Sequence, residues 1–177
     1  MRILAVSDSH HDISSLTPVL RRFASKVDLI AHLGDGVEDV QWAARNARLI
    51  LPRVEGVRGN GDPDPDLWPR RLIGNSDRPV LLLHGHLEGV TEDLGRIILA
   101  AEAVGAKLVL FGHTHQAFQE EFRGILALNP GSISRPRGRD RPTFAVIEVP
   151  EDPDLWYGAR FYEVGTGIGR IREIEVP

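Results

Sequence analysis

The 177-residue sequence contains no cysteine, which excludes disulfides, thiolate metal sites and a cysteine nucleophile. An excess of basic charge is also missing: 21 Lys and Arg stand against 25 Asp and Glu, for a formal net charge of -4. A dedicated binder of nucleic acid or of an anionic membrane carries a basic surplus, so neither partner is expected. Apolar runs such as Val80–Leu83 and Lys107–Phe111 fall far short of the ~20 residues that span a bilayer. The opening MRILAVSDSH turns polar too soon for a secretory leader, and a cytoplasmic location is the expectation. Lysine is scarce beside arginine, which reads as compositional bias rather than as a site.

What is present is ordinary for a soluble globular chain, with 42% hydrophobic and 26% charged residues. The length suits one domain, residues 1–177, large enough to bury about two-thirds of its unfolded surface without staples. Ile3–Val6 reads as a strand, and Leu16, Val19, Leu20 and Phe23 recur at helical spacing. Asp12, Ser14 or Thr17 could cap that helix, the last with Pro18 as first helical residue. Val27–Leu33 reads as a strand, Glu38–Asn46 as a helix, and Leu49–Val57 as strand-like but broken at Pro52. The stretch GNGDPDPDLWP is loop, and Arg70–Gly74 with Pro79–Leu83 form a strand pair around Asn75-Ser76-Asp77. Leu94, Ile97, Ile98 and Ala101 mark a third helix, followed by a buried strand at Lys107–Phe111. Beyond it Ala117–Phe122, Ile125–Leu128, Thr143–Val149, Trp156–Val164 and Ile168–Val176 are all strand-like. A chain that begins as alternating β/α and ends as strands fits an α/β (α+β) fold. The economical form is a four-layer α/β/β/α sandwich, two mixed sheets flanked by helices. Open edges on two sheets would suit a homo-oligomer.

The informative pattern is where the polar ligands fall. Asp8 and His10 follow the first strand, Asp35 the second, and Asn60 lies after the third; His84, His113 and His115 end two later strands. Ligand sites of open α/β sheets gather at such carboxyl ends. On an extended segment residues i and i+2 share a side, so Asp8/His10 and His113/His115 could each act as a pincer. Gly34, Gly59, Gly85 and Gly112 flank these positions and would let the backbone turn close to an ion. Imidazole, carboxylate and amide oxygen without thiolate suit Mn, Fe or Zn. Seven ligands exceed one tetrahedral ion and match two ions sharing a carboxylate, the clamp that steadies both oxygens of an in-line displacement. Singly, most of these motifs also occur in ordinary turns; their order, each after a strand, is what carries weight.

SDSH, GDG, RGNGD, LLHGH, FGHTH and NPGS, in that order, resemble the calcineurin-like metallophosphoesterases, and among them the small single-domain bacterial and archaeal phosphodiesterases. The resemblance runs from Met1 to about Arg137 and implies the same sandwich, with the terminal strands in its second sheet. It implies that Asp8, His10 and His115 hold one divalent ion and Asn60, His84 and His113 a second, with Asp35 bridging. Asp35, His10 and Asn60 would then be catalytic, a metal-bridging hydroxide would attack phosphorus, and the substrate would be a small phosphoester. The two ions would be manganese foremost, with iron, zinc or nickel as alternatives. The other reading is a scaffold without catalysis, as for the retromer subunit that shares this fold. The intact set of ligand side chains is the feature that separates the two.

Many relatives carry GNH at the fourth motif, where that histidine helps protonate the leaving group. Gly61 stands there, so the donor is unassigned, and Asp62 matches the GNxD form. His11 could reach substrate as a proton donor or be a plain polar loop residue. Arg135, with Arg137 and Arg139, could contact substrate phosphate or form a solvated loop. His86 reads as a neighbour of the ligands rather than a ligand, His32 as a packed hydrogen-bonded histidine, and Asn129 as a turn former. Asp62, Asp64 and Asp66 imitate a calcium loop that Leu67 and Ile73 spoil. Gly165–Gly169 is no dinucleotide fingerprint, since no helix follows it. Trp42, Trp68 and Trp156 read as core or loop-packing residues.

Overall fold

The computed structural model describes residues 1–152, 154–165 and 170–176. Among the described residues, eleven strands, three α-helices and a 3-10 turn at Ala24–Lys26 follow one another. Strand β1 (Arg2–Val6), helix α1 (Leu16–Phe23), β2 (Leu29–His32), α2 (Asp39–Ala47) and β3 (Arg53–Gly56) form the first β/α run. Strands β4 (Arg70–Gly74) and β5 (Pro79–Leu83), helix α3 (Gly95–Ala103) and β6 (Leu108–Leu110) form the second. The remainder is β7 (Ala117–Phe122), β8 (Ile125–Pro130), β9 (Thr143–Glu148), β10 (Gly158–Val164) and β11 (Ile171–Ile174).

One sheet has the order β11-β10-β9-β1-β2-β3 and the other β4-β5-β6-β8-β7. Both are mixed, since β1, β2 and β3 are parallel neighbours, as are β5, β6 and β8, while their outer strands run antiparallel. The period-2 alternation of strands distributes their side chains over two faces. Ile3 and Ala5 of β1 meet Val80 and Leu82 of β5 between the sheets. Leu4 and Val6 turn outward onto Leu16, Val19 and Leu20 of α1 and Val40 and Ala43 of α2. Leu81 and Leu83 turn the other way, onto Ile97, Ile98 and Ala101 of α3. Three apolar layers therefore separate four structural ones, as the α/β/β/α reading requires.

The terminal strands depart from expectation. They do not enter the second sheet: β9 pairs antiparallel with β1, placing Ile147 opposite Ile3 and Ala145 opposite Ala5, and β10 and β11 extend that first sheet. The pairing buries Ile147 and Ala145 in the same inter-sheet layer as their partners. Of the two readings for the tryptophans the core one fails, since Trp42, Trp68 and Trp156 are 58%, 65% and 49% exposed; Trp156 packs edge-on against Tyr157 beside it. At the start of α1 none of the three anticipated caps is used. Ser15 occupies the cap position without a side-chain bond, Asp12 accepts the Ser14 amide at 2.9 Å, and Thr17 donates to the Ile13 carbonyl at 2.8 Å. The Gly165–Gly169 segment lies, except for Gly165, outside the described residues.

For the site, what matters is that β1, β2 and β3 run parallel in one sheet and β5 and β6 parallel in the other. Their carboxyl ends are brought together by bonds such as Leu33 N–H to the Val6 carbonyl at 2.9 Å and Gly112 N–H to the His84 carbonyl at 3.1 Å.

Candidate metal centre

The residues that leave these strand ends do not continue in extended form. Asp8 (φ 55°), His10 (φ 46°), His11 (φ 65°), Asp35 (φ 58°), His113 (φ 68°) and His115 (φ 62°) are all left-handed. Only two other described non-glycine residues share that conformation, Arg48 at the end of α2 and Arg123 in the β7–β8 turn. The pincer expectation is thus corrected in its mechanism: Asp8/His10 and His113/His115 converge through strained turns, not through an extended repeat. Each such residue costs on the order of 1–3 kcal/mol, which the surrounding bonds must hold in place. Two of the glycines serve close approach rather than turning. A Cβ on Gly59 would lie 2.1 Å from Asp35 Oδ1, and one on Gly112 would lie 2.1 Å from Ser7 Oγ.

The holding bonds are numerous. Asp8 N–H donates to the Gly34 carbonyl and His10 N–H to that of Asp35, both at 3.0 Å, fastening the first loop to the second. Asp62 fastens the second to the third: its carboxylate accepts the amides of Asp35, Gly36, Val37 and Gly59 at 2.8, 2.7, 3.3 and 2.8 Å. Buried Asp39 accepts Ser9 Oγ–H at 2.5 Å and the His11 amide at 2.9 Å. The hydroxyls of Ser132 and Ser134 both donate to the Asp8 carbonyl, at 2.8 and 2.9 Å. Asn129 donates to the Gly112 carbonyl at 2.7 Å and accepts the Gly131 amide at 2.9 Å, the turn-forming role expected of it.

Two groups of side chains then meet ligand atom to ligand atom, Asp8 with His10 and His115, and Asp8 with Asp35 and His84, all within 4.8 Å of one another in each group. Asp35 faces both groups as well, Oδ1 at 3.6 Å from His84 Nε2 and Oδ2 at 3.9 Å from His10 Nε2. Asn60 Oδ1 stands 3.3 Å from His84 Nε2, and the His113 ring lies 5.1 Å from that of His84. All seven expected ligands therefore gather at one end of the sandwich.

The histidines are presented with a defined tautomer. His84 Nδ1 faces the Leu33 carbonyl at 2.6 Å and His115 Nδ1 the Arg135 carbonyl at 2.7 Å. A carbonyl accepts only, so each Nδ1 carries the proton and each Nε2 is left with its lone pair turned inward, as in metal-ligating histidines. That lone pair on His115 points at Asp8 Oδ1, 3.2 Å away, and at His10 Nε2, 3.1 Å away. Asp8 Oδ1 is buried with no hydrogen-bond donor. A cation in the gap would satisfy all three atoms, and nitrogen and oxygen donors of this kind fit a divalent ion of borderline hardness.

The titration behaviour follows from the same convergence. The facing Asp8 carboxylate lifts His115 above the ordinary histidine value in spite of burial. Burial works to raise Asp8, but the facing His115 and His84 outweigh it and hold the carboxyl below its usual value. Burial lowers His10, only partly offset by Asp35 and Asp8, and burial with the neighbouring His84 lowers His113 and His86. Asp62, despite burial, is lowered by its backbone amides. Wholly buried His32, bonded through Nε2 to Ser9 Oγ at 3.0 Å, falls to about 4.

Above the ligands opens a cavity of about 460 Å³ lined by His10, Asp35, Asn60, His113, His115 and the Arg135-Pro136-Arg137 segment. Arg135 thus stands where a substrate contact was anticipated. His11 does not: it is exposed, its Nδ1 3.5 Å from Asp39, and it is not part of the cavity wall. His86 stands beside the expected ligands, its ring 5.3 Å from that of His84, and like His113 it belongs to neither group. Asp39, Ser132 and Ser134 were not anticipated from the sequence. Their only sequence signal is an ordinary one, a short polar residue near a glycine turn.

The description "calcineurin-like phosphoesterase superfamily domain" matches residues 1–152 of the chain. A probable metallophosphoesterase of Bacillus subtilis, YsnB, is 34% identical over 163 residues, covering 92% of this chain and 91% of that protein. The phosphodiesterase YfcE of Escherichia coli K12 is 27% identical over 172 residues, covering 84% and 88%. Among solved structures, wild-type Vps29 of Entamoeba histolytica in complex with zinc superposes with a TM-score of 0.76 over 98% of each chain, at 21% identity, a likeness of fold alone. Residues 1–152 carry the family's pattern together with the loops that build this site, and the chain belongs to the calcineurin-like phosphoesterase superfamily.

Proposed function

We propose that the chain is a single-domain, dinuclear metal-dependent phosphodiesterase acting in the cytoplasm on small phosphoesters. The observation that carries this reading is the convergence on Asp8, whose buried, donor-free Oδ1 lies among lone-pair nitrogens on one side and faces Asp35 and His84 on the other. Asp8, His10 and His115 would hold one ion, Asn60, His84 and His113 the other, with Asp35 facing both. Bound there, two divalent cations, manganese foremost, supply Lewis-acid charge that acidifies a water and steadies the oxygens around phosphorus.

The chain's own residues do the rest. Carbonyls of Leu33 and Arg135 keep the imidazoles of His84 and His115 oriented. Asp62 keeps Asp35 and the Asn60 loop in register. The arginine segment on the cavity wall offers cationic donors to an anionic substrate. Phosphodiesters are favoured over monoesters by the kinship with YfcE, a named phosphodiesterase. A scaffold without catalysis is the second reading, supported by the fold-level likeness to Vps29; the complete ligand set argues for the enzyme. The test is hydrolysis of bis(p-nitrophenyl) phosphate and p-nitrophenyl phosphate by metal-stripped protein with and without Mn²⁺. Metal-dependent turnover with the diester preferred is expected. No turnover of either ester under several divalent metals would favour the scaffold.

A further inference from the structure

We infer that Arg135 and Arg137 form a recognition site for a second anionic group on the substrate, so that the preferred substrates are phosphodiesters bearing a further phosphate away from the scissile bond. The inference rests on the phosphodiesterase reading above and deepens it. Its first ground is placement. Both arginines line the same cavity as His10, Asp35 and Asn60, and among the described residues they are the only lysine or arginine side chains in that lining.

The second ground is that their backbone is fastened to a ligand histidine. His115 Nδ1–H donates to the Arg135 carbonyl at 2.7 Å, and Arg137 N–H donates back to the His115 carbonyl at 3.0 Å. Ser132 Oγ accepts the Arg135 amide at 2.7 Å. Pro136 between them restricts the backbone further, since it fixes its own φ and disfavours helix at the residue before it. A solvated loop needs no such fastening.

The third ground is pairing. Next along the chain, Arg139 donates to the Glu175 carbonyl at 2.8 Å and Arg141 lies 3.6 Å from Glu163. Among the described residues, the guanidinium groups of Arg135 and Arg137 have neither a hydrogen-bond acceptor nor a carboxylate partner. Two unpaired guanidiniums beside one cavity suit phosphate, which each can grip through two parallel N–H donors. The volume agrees: a cavity of about 460 Å³ exceeds what one phosphoryl group fills and leaves room for a second.

A matched pair of probes separates the ideas: the p-nitrophenyl ester of thymidine 5′-monophosphate and the same ester carrying a 3′-phosphate. With Mn²⁺, the wild-type protein should show a KM about tenfold lower for the 3′-phosphorylated probe, the size expected of charge-assisted hydrogen bonds. Arg135→Gln and Arg137→Gln should each shrink that ratio, and the double variant should bring it to about one. A wild type without the preference, or a double variant that keeps it, overturns the inference while leaving the phosphodiesterase reading intact. Turnover of neither probe would count against that reading instead. The arginines are then read by calorimetry with thymidine 3′,5′-bisphosphate and the Mn²⁺-loaded protein: binding weakened about tenfold in the double variant supports the second-anion site, and unchanged binding overturns it.

Discussion

The two halves of the candidate metal centre are built differently. The Asp8–Asp35–His84 half is buried, its residues 0%, 4% and 1% exposed, and it sits on strand ends packed against the core. The His10–His115 half opens to the cavity and sits on loops tied by polar bonds, His10 N–H to the Asp35 carbonyl, His115 Nδ1–H to the Arg135 carbonyl and Arg137 N–H to the His115 carbonyl. The buried half is held by packing together with hydrogen bonds from Leu33, Asp62, Ser132 and Ser134, and the open half by hydrogen bonds between loops without that packing. The buried half should therefore answer to mutation with stability and chemistry together, the open half with chemistry alone.

The severest way to break this comparison is Asp35→Asn, which weakens a carboxylate facing both halves at once. Turnover should fall by about a thousandfold or more, because a loss of several kcal/mol of charge stabilisation translates to that range. The circular dichroism spectrum should stay unchanged, and near-normal turnover with both metals bound would refute the assignment. A paired substitution sharpens the contrast. His84→Ala should cost an ion and also about 2–3 kcal/mol of stability, since it leaves a void and an unpaired Leu33 carbonyl. His115→Ala should cost an ion with a much smaller change in Tm, measured by elemental analysis and calorimetry together; equal destabilisation would erase the distinction.

Acid should also act from the buried side. His32 is neutral in the folded protein down to about 4, whereas in the unfolded chain it titrates near the ordinary histidine value of 6.5. The unfolded state therefore binds the extra proton first, so this contribution is whole above pH 6.5 and is lost as pH falls towards 4. The loss amounts to roughly 3 kcal/mol. Denaturant titrations across that window check it, with a flatter profile expected for His32→Asn. Asp62→Asn should lower activity by about 10–100-fold through slackened positioning of Asp35, with metal affinity falling alongside. His86→Ala should have the least effect, less than about tenfold on turnover; complete loss of a metal ion there would make His86 a ligand.

Much of the site was legible because strands of period two end abruptly in polar residues, and an α/β sheet presents its ligands at those ends. The seven side chains proposed as ligands were picked out in that way and meet at one end of the fold, and the helices over Leu16–Phe23 and around Ile97 and Ile98 were readable too. What escaped depends on contacts between distant segments. Nothing local to Thr143–Glu148 says that it pairs with Arg2–Val6, and so the terminal strands were assigned to the other sheet. The left-handed turns at Asp8 and His113 carry only a weak residue signature: aspartate and histidine are enriched in that conformation, but most of them lie elsewhere. Asp62 and Asp39 accept backbone amides, a role fixed only when the loops meet. Of the two readings for the tryptophans, core burial fails because size alone favours it while Trp42 and Trp68 are more than half exposed.

The division of the ligands between the sheets has a mechanical consequence. Asp8, His10, Asp35 and Asn60 follow strands of one sheet, and His84, His113 and His115 follow strands of the other. The candidate centre thus lies across the open mouth of the sandwich like a clasp, joining two covers that apolar layers, the Arg71–Glu55 ion pair and loops also hold together. In a chain with no cysteine, ions held there would do the work of a cross-link. Loading should then register as resistance to prying the two sheets apart, visible as a Tm that climbs with metal concentration.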